Sequence, residues 1–335
     1  MWPTLARTLQ AMRIKLPVTR RHRTAASRRA AALMLCLAVL PACQPDPAPS
    51  ATSPAAMAVQ AKPRPATRPV DAVNVLAARL LARDGAGFAK LAVPPDLHAR
   101  LETGWKQGQS RWPLDELPLD GRLPGMLASL QEKNALAKFK AIFRTQFAGA
   151  DRDIDMAIRT LAQFGGQYVQ KETAYTSDER DHVVQAIGAL SNWALAAPLA
   201  DSARADLFFT ALTAAAQRSG IDGKSGDAAF AELGMPSSLA RMSPFIATLL
   251  AQLRTEYGLD LDASLRGLSV QLLEQTGDSA RLRLRYQVAK REIDAIVPAV
   301  RIDGHWYLAD FVARAKASLA TVAEAPAGTD GPASP

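Results

Sequence analysis

The sequence predicts an α+β protein, with a mostly helical N-terminal region followed by a small antiparallel β-sheet with a closing helix. Three observations lead to this prediction. Between Pro69 and Leu261, apolar residues recur at helical spacing, and glycines and capping residues divide the segment. After Leu261 the apolar period falls to two, which is typical of half-buried strands. The Asp303-Gly304 dipeptide lies between two alternating runs and is a strong signal for a hairpin.

The helical region divides into segments with recognisable starts and stops. Thr176 and Glu179 have the spacing of a capping box, and Asp201 is a typical N-cap residue. Ser243 and Pro244 resemble a cap followed by a first-turn proline. The predicted helices are residues 72–83, a short helix after Pro95, and residues 125–149, 151–166, 176–195, 201–220 and 243–258.

The sheet region contains four alternating runs, and its last hairpin can be registered. If Asp303-Gly304 is a two-residue loop, Ile302 opposes His305 and Arg301 opposes Trp306. Neither face of this hairpin is plainly polar, so we expect both faces to be at least partly covered. The predicted strands are residues 268–275, 280–288, 296–302 and 305–311, and the closing helix is 311–320.

The N-terminus has the layout of a secretory signal. Residues 1–42 contain eight basic residues and no acidic residue, and the apolar run Ala30–Leu40 follows the charges. This run has about 11 residues, whereas spanning a bilayer core takes about 20. The sequence therefore predicts export rather than a membrane-spanning helix.

The segment Leu40-Pro41-Ala42-Cys43 resembles the lipobox of bacterial lipoproteins. In that family the cysteine thiol receives a diacylglyceryl group, and cleavage just before it makes the cysteine the first residue. The resemblance implies lipidation of Cys43 and a membrane anchor through that lipid. Gln44, in place of an aspartate, implies the outer membrane, with the periplasmic face favoured over the cell surface. Pro41 differs from the small or β-branched residue that is usual in the family.

Composition limits the remaining functions. The net charge of +8 comes from the signal segment, because the other 32 of the 40 basic residues are matched by 32 acidic ones. We therefore expect no nucleic-acid partner. The only cysteines are Cys36 and Cys43, so the mature chain would keep no free thiol. The predicted organisation is a signal peptide (1–42), a lipidated tether rich in proline and alanine (43–70), a helical region (71–262), the sheet plus helix (263–320) and a disordered tail (321–335).

The ending AVRIDGHWYLADF resembles, more weakly, the last hairpin of nuclear-transport-factor-like α+β domains. Gly304, Trp306 and Tyr307 match a Gly-x-Trp-Tyr strand that is frequent in that family. The resemblance implies a curved sheet that encloses a pocket with its helices, used for catalysis by some members and for binding by others. His305 and Tyr307 are accordingly candidate pocket residues, and ordinary packing is the alternative.

The segment Thr103–Gly125 is irregular and carries residue types that are frequent at interaction hot spots. Trp105, Arg111 and Trp112 are therefore candidate binding residues. The alternative is that both tryptophans hold the segment against the helices.

Other motifs do not support a specific chemistry. Gly220–Ser225 lacks the first glycine of a phosphate-binding loop, and Asp151–Asp155 lacks the glycine and glutamate of a calcium loop. The scattered histidines predict no metal site, and no cofactor is expected. Alternation in residues 280–288 places Arg281, Arg283 and Arg285 on one face, either as a solvated surface or as a cationic strip for an anionic partner.

These observations favour a lipid-anchored protein of the cell envelope that acts as a non-catalytic binding or assembly module, with an envelope protein as its partner. Two alternatives remain open at this stage. One is a periplasmic hydrolase with its site in a pocket of the sheet, and the other is a carrier of small ligands. Dispersed catalytic groups are recognised by geometry, so the sequence alone leaves enzymatic activity undecided.

Overall fold

The computed structural model describes residues 64–117, 122–173 and 175–320. The predicted signal peptide, the lipidation of Cys43, residues 43–63 of the tether and the C-terminal tail lie outside these residues. None of the described helices combines the length and the apolar character needed to span a bilayer.

The predicted α+β class is confirmed, with helices first, then a four-stranded antiparallel sheet and a closing helix. The capping box on α7 is also confirmed, because the Thr176 hydroxyl accepts from the Glu179 N–H and the Glu179 carboxylate accepts from the Thr176 N–H. The described helices are α1 (Pro69–Leu81), α2 (Gly85–Ala92), α3 (Pro95–Lys106), α4 (Leu123–Gln131), α5 (Ala135–Gln146), α6 (Asp151–Lys171), α7 (Ser177–Ala196), α8 (Ser202–Arg218), α9 (Asp227–Leu233), α10 (Met235–Tyr257), α11 (Leu261–Arg266) and α12 (Ala309–Ala320).

The prediction of one long helix over residues 125–149 is wrong. Two helices, α4 and α5, replace it, because Glu132 leaves the helical conformation with φ −56° and ψ 144°. The break lets each half turn its own apolar stripe inward, with Leu127 buried on α4 and Phe139 and Phe143 buried on α5.

Two predicted helix ends are also wrong. Helix α6 continues through the glycine pair at 165–166, since Gly165 is buried and Val169 one turn later packs against α7. Helix α10 begins at Met235, so Pro244 lies inside it. Ser243 is not a cap, because its hydroxyl donates to the Leu239 carbonyl at 2.9 Å.

The sheet has the order β1-β2-β3-β4, with all neighbours antiparallel. The predicted register of the last hairpin is confirmed, with Ile302 opposite His305 and Arg301 opposite Trp306. β3 begins five residues earlier than predicted, and Ala309 to Phe311 belong to α12 rather than to β4. The strands are β1 (Ser269–Thr276), β2 (Ser279–Val288), β3 (Arg291–Ile302) and β4 (His305–Leu308).

One hydrophobic cluster joins the helical region to the sheet. It includes Phe208 of α8, Phe245 of α10, and Leu282 and Ile293 of the sheet, and each of these side chains is buried. Helix α1 contacts all four strands on their inner face. The two predicted regions therefore share a core, which fixes the helices relative to the outer face of the sheet.

Candidate binding site on the outer face of the sheet

The two tryptophans predicted from the irregular segment are interior residues. Trp105 is 0% exposed and Trp112 is 1% exposed. The Trp105 indole N–H donates to the Phe230 carbonyl at 2.8 Å, and its ring lies 6.4 Å from that of Phe230. These positions favour the alternative that the tryptophans hold the segment against α9.

Arg111 has a similar structural position. Its guanidinium lies 5.3 Å from the centre of the Trp105 ring and donates to the Trp105 and Asp227 carbonyl oxygens, both at 2.8 Å. It also forms an ion pair with the Asp227 carboxylate at 3.3 Å. Arg111 thus ties the end of α3 to the start of α9.

His305 and Tyr307 lie on the same face of β4, the first half-buried and the second buried. Burial raises the pKa of the Tyr307 phenol, and the nearby Asp303 and Asp96 carboxylates add to the effect. On the opposite face of the hairpin, the Arg301 guanidinium lies 5.8 Å from the Trp306 ring, as the register predicts. None of the five candidate binding residues predicted from the sequence lines the cleft on the outer face of the sheet.

A cleft of about 380 Å³ lies on the outer face of the sheet beside the N-terminal half of α7. The helix forms its wall and the three longer strands form its floor. Most of its lining side chains are polar or charged. The lining residues are Asp178, Asp181, Gln185, Leu273, Arg283, Asp294, Ala295 and Ile296.

The predicted arginine row crosses this face, and each arginine meets a carboxylate. Arg281 donates to Asp178 at 2.8 Å. Arg283 binds Asp294 through Nε at 2.8 Å and through Nη2 at 2.5 Å, and Arg285 reaches the same carboxylate at 3.3 Å. The hydrogen bond from Arg283 lowers the pKa of Asp294, which keeps this carboxylate ionised at neutral pH.

Further carboxylates make the net charge of this surface negative. Glu274 lies near Arg281 and Glu292 lies near Arg283, while Asp181 is exposed on the cleft wall. Within the described part of the chain, Asp181 has no ion-pair partner. Five carboxylates thus surround three arginines, so the surface favours a cationic rather than an anionic ligand.

A buried His-Tyr pair attaches the cleft wall to the sheet. His182 Nε2 of α7 lies 2.7 Å from the Tyr286 hydroxyl of β2, and both side chains are buried. Burial lowers the pKa of His182 to about 3 and raises the pKa of Tyr286. The imidazole is therefore neutral near pH 7, and no charge remains uncompensated beneath the cleft.

Gln185 makes a second attachment, to the backbone of β3. Its amide accepts from the Asp294 N–H at 2.9 Å and donates to the Asp294 carbonyl at 2.8 Å. β4 pairs only with residues 299–302, so this part of β3 has no strand on that side. The Gln185 side chain thus takes the place of the missing strand and fixes α7 along β3.

The two edges of the sheet differ. At the β4 edge, the Trp306 N–H donates to the Ala66 carbonyl at 2.9 Å, so the segment before α1 covers the backbone there. No described segment pairs with the outer edge of β1, and seven of its eight residues are exposed. Leu272 and Leu273 are 40% and 42% exposed at a bulge, and Leu273 also lines the cleft. The open edge and the cleft therefore form one continuous surface, the edge-cleft site.

Sequence reasoning predicted the arginine row but missed the acidic wall that faces it. Asp178 lies within the capping box, and Asp181 and Gln185 follow it at helical spacing, which places all three on one side of α7. That polar stripe on an otherwise packed helix was the available signal. Among the described residues, no group of three or more histidine, cysteine or acidic side chains could hold a metal ion.

Comparison with known proteins gives no relative for this chain. No protein-family model, no curated protein and no solved structure matches it at a significant level. The resemblances to bacterial lipoproteins and to nuclear-transport-factor-like domains stay predictions.

Proposed function

We propose that this protein is a lipid-anchored module of the cell envelope that binds an extended, positively charged segment of a partner protein at the edge-cleft site. The observation that carries the proposal is the open edge of β1 leading directly into an acid-rich cleft. The proposed role is binding or assembly without catalysis. The proposed anchor is the lipid on Cys43, at the periplasmic face of the outer membrane.

An exposed strand edge can bind an extended peptide through main-chain hydrogen bonds, while neighbouring pockets select its side chains. Every second residue of β1 presents its backbone N–H and C=O groups to the free edge. A peptide paired there would direct alternate side chains toward the outer face, where Leu273 opens into the cleft. A lysine or arginine at such a position would find the Asp181 carboxylate, which lacks an ion-pair partner among the described residues.

Crosslinking in cells tests the binding site. A photoreactive amino acid at Leu273 should give a discrete protein adduct, whereas the same group at Leu207 of α8 should not. Leu207 is a matched control because it is 44% exposed, against 42% for Leu273. Asp181→Lys should weaken the adduct from position 273, since it places a cation where the partner's cation would bind. Equal adducts from both positions, or none from 273, would contradict the proposed site.

The anchor is tested separately by fractionation. Cys43→Ala should move the protein out of the membrane fraction and remove a metabolically incorporated acyl label, whereas Cys36→Ala should change neither. If Cys43→Ala stays in the membrane with its acyl label, the anchor is assigned wrongly. This outcome would leave the peptide site standing, because the crosslinking result does not depend on the lipid.

A small-ligand carrier is the second candidate, supported by the size of the cleft. Its volume of about 380 Å³ lies at the lower end of the range for small-molecule sites, about 300–1,000 Å³. Native mass spectrometry of protein purified from cells would show a bound small cation if this candidate is right. The hydrolase has weaker support, since Asp178 and Asp294 in the cleft are both engaged by arginines.

A further inference from the structure

Helix α6 presents an apolar face that no described element covers. Its main packing partner is α7, which contacts Val169 and the residues around it. On the outward side, Met156 and Phe164 are 62% and 61% exposed, and Leu161 is 36% exposed. With 21 residues, the helix is about 31 Å long, so this face is a sizeable part of the molecular surface.

The exposed face is distinct from the buried one. At about 100° per residue, Met156, Thr160 and Phe164 lie along one line of the helix. Asp153 begins this line and Lys171 ends it. The buried side chains are Ile154, Ile158 and Val169, and they point roughly 150° away. The outward face therefore has an apolar centre, an acid near its N-terminal end and a base at its C-terminal end.

We propose that this face binds a second copy of the same chain, with the two α6 helices antiparallel around a two-fold axis at the level of Ala162. In that register Thr160 faces Phe164 of the second copy. The smaller Ala157 faces Gln167, and Asp153 faces Lys171. Each such pair occurs twice, as a two-fold contact requires.

The end charges argue for a second copy and for the antiparallel direction. Asp153 and Lys171 are both exposed, and neither forms an ion pair with any described residue. Antiparallel pairing places each acid opposite a base. Parallel pairing would place acid against acid and base against base, which is unfavourable. A single pair of helices buries less surface area than a standard protein–protein interface. We therefore expect the two copies to associate only at high protein concentration.

Charge reversal tests the register in the full-length chain carrying Cys36→Ser and Cys43→Ser, with sedimentation equilibrium as the measurement. Asp153→Lys and Lys171→Asp should each weaken self-association by about tenfold, because each turns two attractive contacts into repulsive ones. An equimolar mixture of the two variants should restore it, since each then meets the opposite charge. A mixture that associates no better than either variant alone would overturn the proposal.

Two further measurements separate this interface from general stickiness. Phe164→Glu should reduce association at least tenfold, whereas Leu207→Glu on α8 should leave it unchanged. Under mild oxidation, Ala157→Cys mixed with Gln167→Cys should give a disulfide-linked heterodimer. A crosslinked homodimer of Ala157→Cys in place of that heterodimer would indicate parallel pairing and would refute the model. Circular dichroism of each variant confirms that it is folded.

Discussion

The neutral imidazole of His182 should make the protein sensitive to mild acid. Its folded-state pKa is about 3, below the ordinary value of 6.5, because the ring is buried against Tyr286. The unfolded chain therefore binds a proton between these two values and the folded chain does not. This contribution to stability is fully present above pH 6.5 and is lost progressively as the pH falls toward 3.

The size of the effect follows from the two pKa values. Each pH unit between them costs about 1.4 kcal/mol, so lowering the pH from 7 to 5 should cost about 2 kcal/mol from His182 alone. His182→Gln should lack this loss, because an amide of similar length can bind the Tyr286 hydroxyl without titrating. The carboxylates and the other histidines titrate in both proteins, so their contributions cancel in the comparison.

Urea unfolding at pH 7 and pH 5, followed by tryptophan fluorescence, measures this difference. The free energy of unfolding should fall by about 2 kcal/mol more in the wild type than in His182→Gln. If both proteins lose the same stability, the histidine is not held neutral and the interpretation of the buried pair is wrong. If the difference is seen, the crosslink from Leu273 should persist at pH 5, because His182 stays neutral in the folded protein and still holds the wall of the cleft.

The remaining predictions concern packing within the helical region and the attachment of the cleft wall. Gly223→Ala should destabilise the fold by about 1–3 kcal/mol, because its Cβ would lie 2.3 Å from the Ala128 backbone nitrogen. Gly125→Ala in α4, the helix that contains Ala128, is the control. No atom lies within 4 Å of the added Cβ, so we expect no loss of stability and a gain of up to about 1 kcal/mol in the free energy of unfolding, measured by heat or urea. Gln185→Leu should cost about 1–3 kcal/mol in urea unfolding, since it leaves the Asp294 N–H and carbonyl unpaired. Unchanged stability would show that water replaces the amide there.

Local signals predicted the sheet better than the helices. The Asp303-Gly304 turn and the alternation around it determine the hairpin register, because both depend on neighbouring residues. The break at Glu132 had no such signal, since glutamate, lysine and asparagine are all tolerated in a helix. Tertiary burial of Leu127 and Phe139 on separate helices decides it. The predicted helix start at Ser243 was wrong for a related reason. Proline favours the first turn of a helix, but an established helix can also contain it.

In the candidate site too, local patterns were predictable from the sequence and long-range pairings were not. Alternation predicted the row formed by Arg281, Arg283 and Arg285. The carboxylates that balance it come from α7 and β3, and Asp178 lies 103 residues from its partner. A pairing over that distance follows from the fold rather than from spacing. For Trp105, the residue type alone does not distinguish a side chain that faces solvent from one that is buried in the core, as this one is.

The hydrogen bond between Trp306 and Ala66 determines where a pull on the N-terminal side of the chain would reach the sheet first. The chain preceding α1 joins the sheet at the β4 edge, and β1 lies three strand spacings away, about 14 Å across the sheet. A pull on this chain would act first on the Ala66–Trp306 hydrogen bond at β4, and it would reach β1 only through the packing of α1 on the inner face of the sheet. A peptide paired with the outer edge of β1 would therefore lie at the opposite side of the sheet from the point where the preceding chain is attached.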